Sequence, residues 1–223
     1  MTTGEYFNKI AEQYEKTFDI YRDEEINGEK YLAYGHFYSH SEKYVLVKEV
    51  QLWEVKSHEH IIFMDISEIK MNDLKKVDIL IKEYMEPFLV RKGEKYPEKN
   101  HMYSFLTVVI FTSKRISDDM KRKIEKYKYE KNYLFFIRGY TSGRIIVIDT
   151  ENMEIVTNKS GKVLGKFYRK IFEQNNIELG GKIYERGNYF SMFNFVLFYC
   201  ICNLWIVVGK TMGCRSFKGN TFT

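Results

Sequence analysis

Apolar residues recur at three- and four-residue spacing at the start of the chain. Phe7, Ile10, Ala11, Tyr14 and Phe18 predict an amphipathic helix over 4–18. Thr2, followed three residues later by Glu5, predicts a capping box at its first turn. The acidic stretch Asp19–Glu29, with its Asn27-Gly28 pair, reads as a connecting loop. Strand-like runs then occupy Tyr31–Tyr38, Tyr44–Val55 and Ile61–Ile66. The polar triplets His40-Ser41-Glu42 and Lys56-Ser57-His58 separate them and read as hairpin turns.

A second helical period covers Ser67–Phe88, with Ser67 at the N-cap and Leu74, Val77, Ile81, Tyr84 and Phe88 on one face. Tyr103–Thr112 is apolar at successive positions, as a strand covered on both sides must be. Ser117 caps a third helix running to about Tyr129, and Tyr133–Arg138 returns as a strand, so 103–138 predicts a βαβ unit. Arg144–Asp149 and Glu154–Thr157 predict a hairpin, and Lys162–Glu173 a last amphipathic helix. The fold class that follows is α+β: a mixed sheet of antiparallel hairpins plus one βαβ unit, with helices packed on it.

The pattern then changes. Tyr189–Gly209 runs 21 residues without a charge. At ~1.5 Å per residue a helix of that length spans ~30 Å, the thickness of a bilayer's hydrocarbon core. The expected organisation is a soluble domain over 1–175, a linker over 176–188, a transmembrane helix over 189–209 and a short basic tail over 210–223. Two other readings stand beside it: a tail buried or irregular in the soluble part, and an accidental, non-native tail, since no Asp or Glu follows Glu185.

Charge adds little. The formal net charge is +5, but Lys210, Arg215 and Lys218 lie beyond Gly209, leaving 32 of the 35 cations against all 30 acids in the remainder. That near-balance is not the footprint of a duplex-binding protein, and no nucleic-acid partner is expected. All three cysteines (Cys200, Cys202, Cys214) fall in the tail, so the first 188 residues offer neither a disulfide framework nor thiolate chemistry. The charged N-terminus lacks the apolar core of a signal peptide. With the cations Lys166, Arg169, Lys170, Lys182 and Arg186 before the apolar stretch, the expected placement is a single-pass membrane protein with its N-terminal domain in the cytoplasm.

Four histidines gather near the first hairpins. His58 and His60 are two apart and share a strand face, with His36 or His40 across the ladder. His36, His58 and His60 are therefore candidate metal ligands beside the simpler reading of turn-proximal surface histidines. The segment Lys121–Lys131 interleaves cations with Ile124, Tyr127 and Tyr129, and Lys121, Arg122 and Lys126 are candidate contacts for anionic lipid or else an ordinary solvated face. Arg138-Gly139-Tyr140 and Ser142-Gly143-Arg144 bracket what reads as a tight turn, with two arginines that could hold an anion. No phosphate-binding loop or nucleophile elbow is present, and no cofactor is expected.

Two resemblances bear on fold. The order helix, three strands, helix, strand resembles the restriction-endonuclease-like core, which implies an acid and an acid-x-Lys on neighbouring strands around Mg²⁺. The triplets that could serve are Glu54-Val55-Lys56, at a predicted strand end, and Glu68-Ile69-Lys70, at a predicted helix start; neither has a well-placed partner Asp. A wider resemblance rests on EKYVLVKEVQLWEV (Glu42–Val55), EHIIF (Glu59–Phe63), YKYEKNYLFFIRGYTSGRIIVID (Tyr127–Asp149) and NKSGK (Asn158–Lys162). Over about 5–164 the chain is similar to a family of small uncharacterised bacterial proteins, mainly from Gram-positive species, that carry a domain of unknown function. That family implies no catalytic residue, and its members usually stop soon after the Asn-Lys-x-Gly stretch, so the apolar tail departs from its pattern. The functional expectation is a membrane-tethered binding or interaction module without catalytic activity. The alternatives are a metal-dependent nuclease-like domain and a soluble domain with an accidental tail.

Overall fold

Residues 2–44 and 51–179 are described by the structure, a computed structural model, with side chains over 2–40 and 55–173. The chain opens with helix α1 (Thr3–Tyr14), and its capping box forms as the sequence predicts. The Glu5 amide donates to Thr2 Oγ1 (3.3 Å) and the Thr2 amide to a Glu5 carboxylate oxygen (2.9 Å). The stretch expected to be loop holds strand β1 (Asp19–Arg22) and a two-residue hairpin, β2 (Glu25–Ile26) with β3 (Glu29–Lys30). Its turn is Asn27-Gly28, both at positive φ, where glycine carries no Cβ penalty.

Two long strands follow, β4 (Ala33–Tyr44) and β5 (Gln51–Asp65), paired antiparallel. The three strands expected here are thus two. His40-Ser41-Glu42 lies within β4 and Lys56-Ser57-His58 within β5, paired residue for residue across the ladder. Polar triplets imitate turns, and in Lys56-Ser57-His58 the polarity has a different cause: Lys56 and His58 both bind Glu98.

Helix α2 (Met71–Ile79) begins three residues later than an N-cap at Ser67 predicts. Lys70 is its N-cap, with the Lys70 amide donating to Asp73 (2.8 Å). The Ser67 carbonyl is occupied by the Lys114 amide and Thr112 Oγ1, which ties that residue to the end of the next strand. The helix passes into a π-helical segment, Leu80–Val90, which contains Pro87. Then come β6 (His101–Thr112), α3 (Asp118–Lys126) capped by Ser117, β7 (Glu130–Asn132), β8 (Tyr140–Asp149), β9 (Glu154–Thr157) and α4 (Lys162–Leu179). The βαβ unit is β6–α3–β8. Its second strand is 140–149 rather than 133–138, because Leu134–Arg138 forms a turn with Leu134, Phe135 and Phe136 all at positive φ.

Seven strands make one sheet in the order β1-β4-β5-β6-β8-β7, with β9 also on β8. The first three alternate in direction, while β5, β6 and β8 run parallel. Alternation along the strands divides the core in two. Ile61, Phe63, Val109, Phe111, Ile146 and Ile148 pack under α1 and α4, and Ile62, Leu106, Val108, Ile110, Ile145 and Val147 under α2, the π segment and α3. Strand β6, buried on both faces, is the central strand its composition predicts. The described part is α+β with a mixed sheet, as expected.

Among the described residues no helix is long and apolar enough to cross a membrane. The stretch 189–209 and the basic tail 210–223 lie outside the described residues, as does most of the expected linker 176–188. Helix α4 continues to Leu179.

Candidate metal centre

The long β4–β5 ladder sets the register of the histidines. His36 stands directly opposite His60, and His58 is two residues along the same face. All three therefore project to the α2 side of the sheet, where Ile62 and Leu106 begin the apolar core. Their rings stack nearly parallel: His36 and His60 centroids are 4.6 Å apart at 1°, and His36 and His58 are 5.4 Å apart at 5°. One ligand nitrogen from each lies within 4.8 Å of the other two. His60 is 4% exposed, and the His58 side chain 11%.

The segment 91–100 folds over this face. The Lys56 amide donates to the Asn100 carbonyl (2.9 Å), which brings Glu98 across β5. Glu98 takes His58 Nε2 at 3.1 Å on one oxygen and Lys56 Nζ at 3.1 Å on the other. Burial pushes the Glu98 carboxyl up, but the Lys56 and His58 hydrogen bonds outweigh it and hold the pKa below the usual range. Beside Glu98 opens a cleft of about 340 Å³, lined also by Arg91, Lys92, Lys95, Tyr96 and Arg138.

Burial keeps these imidazoles neutral. It pushes His58 down to about 4 despite the opposing Glu98 bond, holds His60 well below its ordinary value and lowers His36 as well. Neutral imidazole is the form that binds metal. The hydrogen bonds assign tautomers by inference. His58 Nε2–H donates to Glu98, which frees Nδ1. The Tyr34 hydroxyl lies 2.8 Å from His60 Nδ1, and burial raises the phenol's pKa, so the phenol stays protonated. In the tautomer whose Nδ1–H donates to that oxygen, the one a metal requires, His60 Nε2 presents its lone pair. Among the described residues this buried Nε2 has no hydrogen-bond partner. His36 Nε2 and His58 Nδ1 are 3.1 Å apart and share a hydrogen in the metal-free arrangement.

Three imidazole nitrogens, with Glu98 behind His58 and Tyr34 behind His60, fit a divalent transition metal with an open fourth position once the hydrogen shared by His36 Nε2 and His58 Nδ1 has moved off. Tetrahedral coordination at ~2.05 Å places ligand nitrogens about 3.4 Å apart, so the widest pair draws in by about 1.4 Å on binding. A cavity hydrogen-bond network accounts for His36 and His58 without a metal; it does not account for His60 Nε2.

The other candidates do not join this cluster. His40 is exposed and pairs with Lys56 along the ladder, away from the three rings. His101 comes within 6.4 Å of His58 but uses Nδ1 on the Arg138 carbonyl and Nε2 on Ser104 Oγ, each at 2.8 Å. Glu54-Val55-Lys56 falls inside β5 rather than at a strand end, with Lys56 bound to Glu98. Glu68 is exposed and pairs with Lys114. Arg138 and Arg144 do not converge on an anion. Arg138 donates to the Pro97 carbonyl, while Arg144 is buried under α1 and α4, and residues 140–149 are one strand rather than two flanking a turn. On α3, Lys121 pairs with Asp118 and Glu154, Arg122 pairs with Asp119, and Lys126 is exposed.

Tyr34 and Glu98 escape a reading of the sequence, and for different reasons. Tyr34, His36, Tyr38 and His40 alternate on one face of β4, a period-two pattern that marks Tyr34. Glu98 sits in a charged loop, and only the fold carries it to His58.

A family model described as a domain of unknown function, DUF8052, matches residues 2–170. No curated protein and no solved structure matches.

Proposed function

Because the chain belongs to the DUF8052 family, whose defining domain has no assigned activity, we propose its role from the site itself. It is a binding module that holds one divalent transition-metal ion through His36 Nε2, His58 Nδ1 and His60 Nε2. The observation that carries this reading is the buried, unpartnered His60 Nε2 facing two further imidazole nitrogens. An all-imidazole set suits zinc, nickel or copper rather than magnesium, and it departs from the paired carboxylates of a nuclease-like centre. Glu98 and Tyr34 act as outer partners that orient His58 and His60. In this reading the uncharged stretch 189–209 is an anchor that keeps the module at a bilayer.

The test is metal content. The purified full-length chain, incubated with Zn²⁺ and desalted, retains one equivalent by elemental analysis. His60→Ala and His36→Ala retain a small fraction of that, and His40→Ala retains all of it. Equal zinc in wild type and His60→Ala would falsify the assignment.

A further inference from the structure

The turn between β7 and β8 is built against conformational preference. Leu134, Phe135 and Phe136 adopt φ of 49°, 52° and 68° in succession, in the left-handed region that bulky side chains avoid. Their side chains recover little inside the protein, chiefly an edge contact of Phe136 with the Tyr140 ring. Leu134 is 39% exposed, Phe135 93%, Phe136 64% and Ile137 79%. Backbone strain kept at an exposed apolar tip points to a use for the tip.

The base of this tip is held firmly. The Tyr133 amide donates to the Gly139 carbonyl (3.0 Å) and the Arg138 amide to the Tyr133 carbonyl (3.1 Å). Tyr133 is buried, with its hydroxyl on Glu86 and Thr141. Gly139 has φ 72°, and a Cβ there would lie 2.2 Å from the Met102 carbonyl oxygen, so only glycine closes the turn. Arg138 binds His101 through its carbonyl and Pro97 through its guanidinium. Four apolar side chains are thus presented on a fixed, convex support.

Charge indicates what receives them. The segment 126–140 carries Lys126, Lys128, Lys131 and Arg138 against the single acid Glu130, in a chain that is otherwise near balance. The 91–100 segment, tied to the tip through Arg138 and Pro97, adds Arg91, Lys92, Lys95 and Lys99 against Glu94 and Glu98. A convex apolar knuckle with cations behind it suits a deformable apolar layer under anionic headgroups better than a flat protein face. We propose that Leu134–Ile137 inserts into the interfacial layer of an anionic bilayer, with the neighbouring lysines on the headgroups.

The test reads depth at the tip itself, so attachment through 189–209 does not confound it. Full-length protein carrying C200S, C202S and C214S receives a single cysteine at Phe135→Cys, labelled with an environment-sensitive nitrobenzoxadiazole dye. Ile137→Cys serves as a second position and Lys75→Cys, exposed on α2, as the control. With vesicles of 70% phosphatidylcholine and 30% phosphatidylserine, the dye at 135 and 137 should brighten severalfold and be quenched by shallow doxyl lipid, while the dye at 75 should not. Substituting Phe136→Ser should reduce the response at 135 several-fold, and raised salt should weaken it. Dye that stays in water at both tip positions on vesicle-bound protein overturns the proposal. So does an equal response on purely zwitterionic vesicles. Burial of the dye that grows with protein concentration and needs no lipid also overturns it, and would make a second copy of the chain the occupant.

Discussion

Strand β5 carries His58, Glu59 and His60 in succession, and alternation sends Glu59 to the opposite face of the sheet from its two neighbours. Under α1 and α4, Glu59 accepts Arg144 Nη1 at 3.0 Å and Thr107 Oγ1 at 2.7 Å, while the guanidinium lies 3.4 Å over the Phe105 ring. Tyr14 and Tyr168 join hydroxyls at 2.7 Å in the same layer. On the other face His60 Nε2 has no hydrogen-bond partner among the described residues, and the histidines lie beneath a loop, with a cleft beside Glu98. Adjacent residues of one strand thus build two kinds of polar centre. One pairs opposite charges and locks the packing; the other gathers neutral imidazoles, of which His60 Nε2 has no hydrogen-bond partner among the described residues.

The comparison predicts that stability and metal binding separate. The largest effect belongs to the ion pair. Arg144→Met strands a buried Glu59 carboxylate and should cost about 3–5 kcal/mol in urea denaturation, with the double variant Glu59→Leu/Arg144→Met recovering most of it. A folded Arg144→Met at slightly lower temperature should still bind zinc; loss of both properties together would break the distinction. Removing a ligand does the reverse. His60→Ala should weaken zinc at least roughly a hundredfold, about 2.7 kcal/mol, by competition with a chelating dye. Glu98→Gln, which reaches the site through His58, should cost about 10- to 100-fold in the same assay.

A further effect is on pH dependence, and its sign is fixed by burial. His58 takes a proton near 6.5 when unfolded and near 4 when folded, so below 6.5 the unfolded chain binds more protons. In chelator, stability should therefore fall as pH drops from about 6.5 through about 4. His58→Gln should flatten that slope, and a slope unchanged by the substitution would contradict the burial of a neutral imidazole.

The errors of sequence reading fall near this same face. Lys56-Ser57-His58 is polar within a strand because its residues meet Glu98 and His36, not because the chain turns there. Conversely, Tyr133–Arg138 is apolar like a strand, but its Leu134–Ile137 side chains project outward on a left-handed turn. Polarity reports environment, and a binding face reverses the environment that strand and turn usually have. Asn158, legible only as part of a family stretch, proves to be a bracket. Its Oδ1 accepts the Ile145 and Gly161 amides, and its Nδ2 donates to the Tyr127 and Gly143 carbonyls.

Read alone, the chain determined what depends on neighbours within a few residues. That covers the Thr2–Glu5 box, the Ser117 cap, the start of α4 at Lys162, the two-sided burial of β6 and the shared face of His58 with His60. Capping and periodicity are local, so their signals survive in one dimension. Only the tertiary structure decided that His36 stands directly opposite His60, that Glu98 backs His58 and that Arg144 answers Glu59. Those choices depend on strand register and on a loop crossing between β5 and β6, which are set by the packing of the whole sheet.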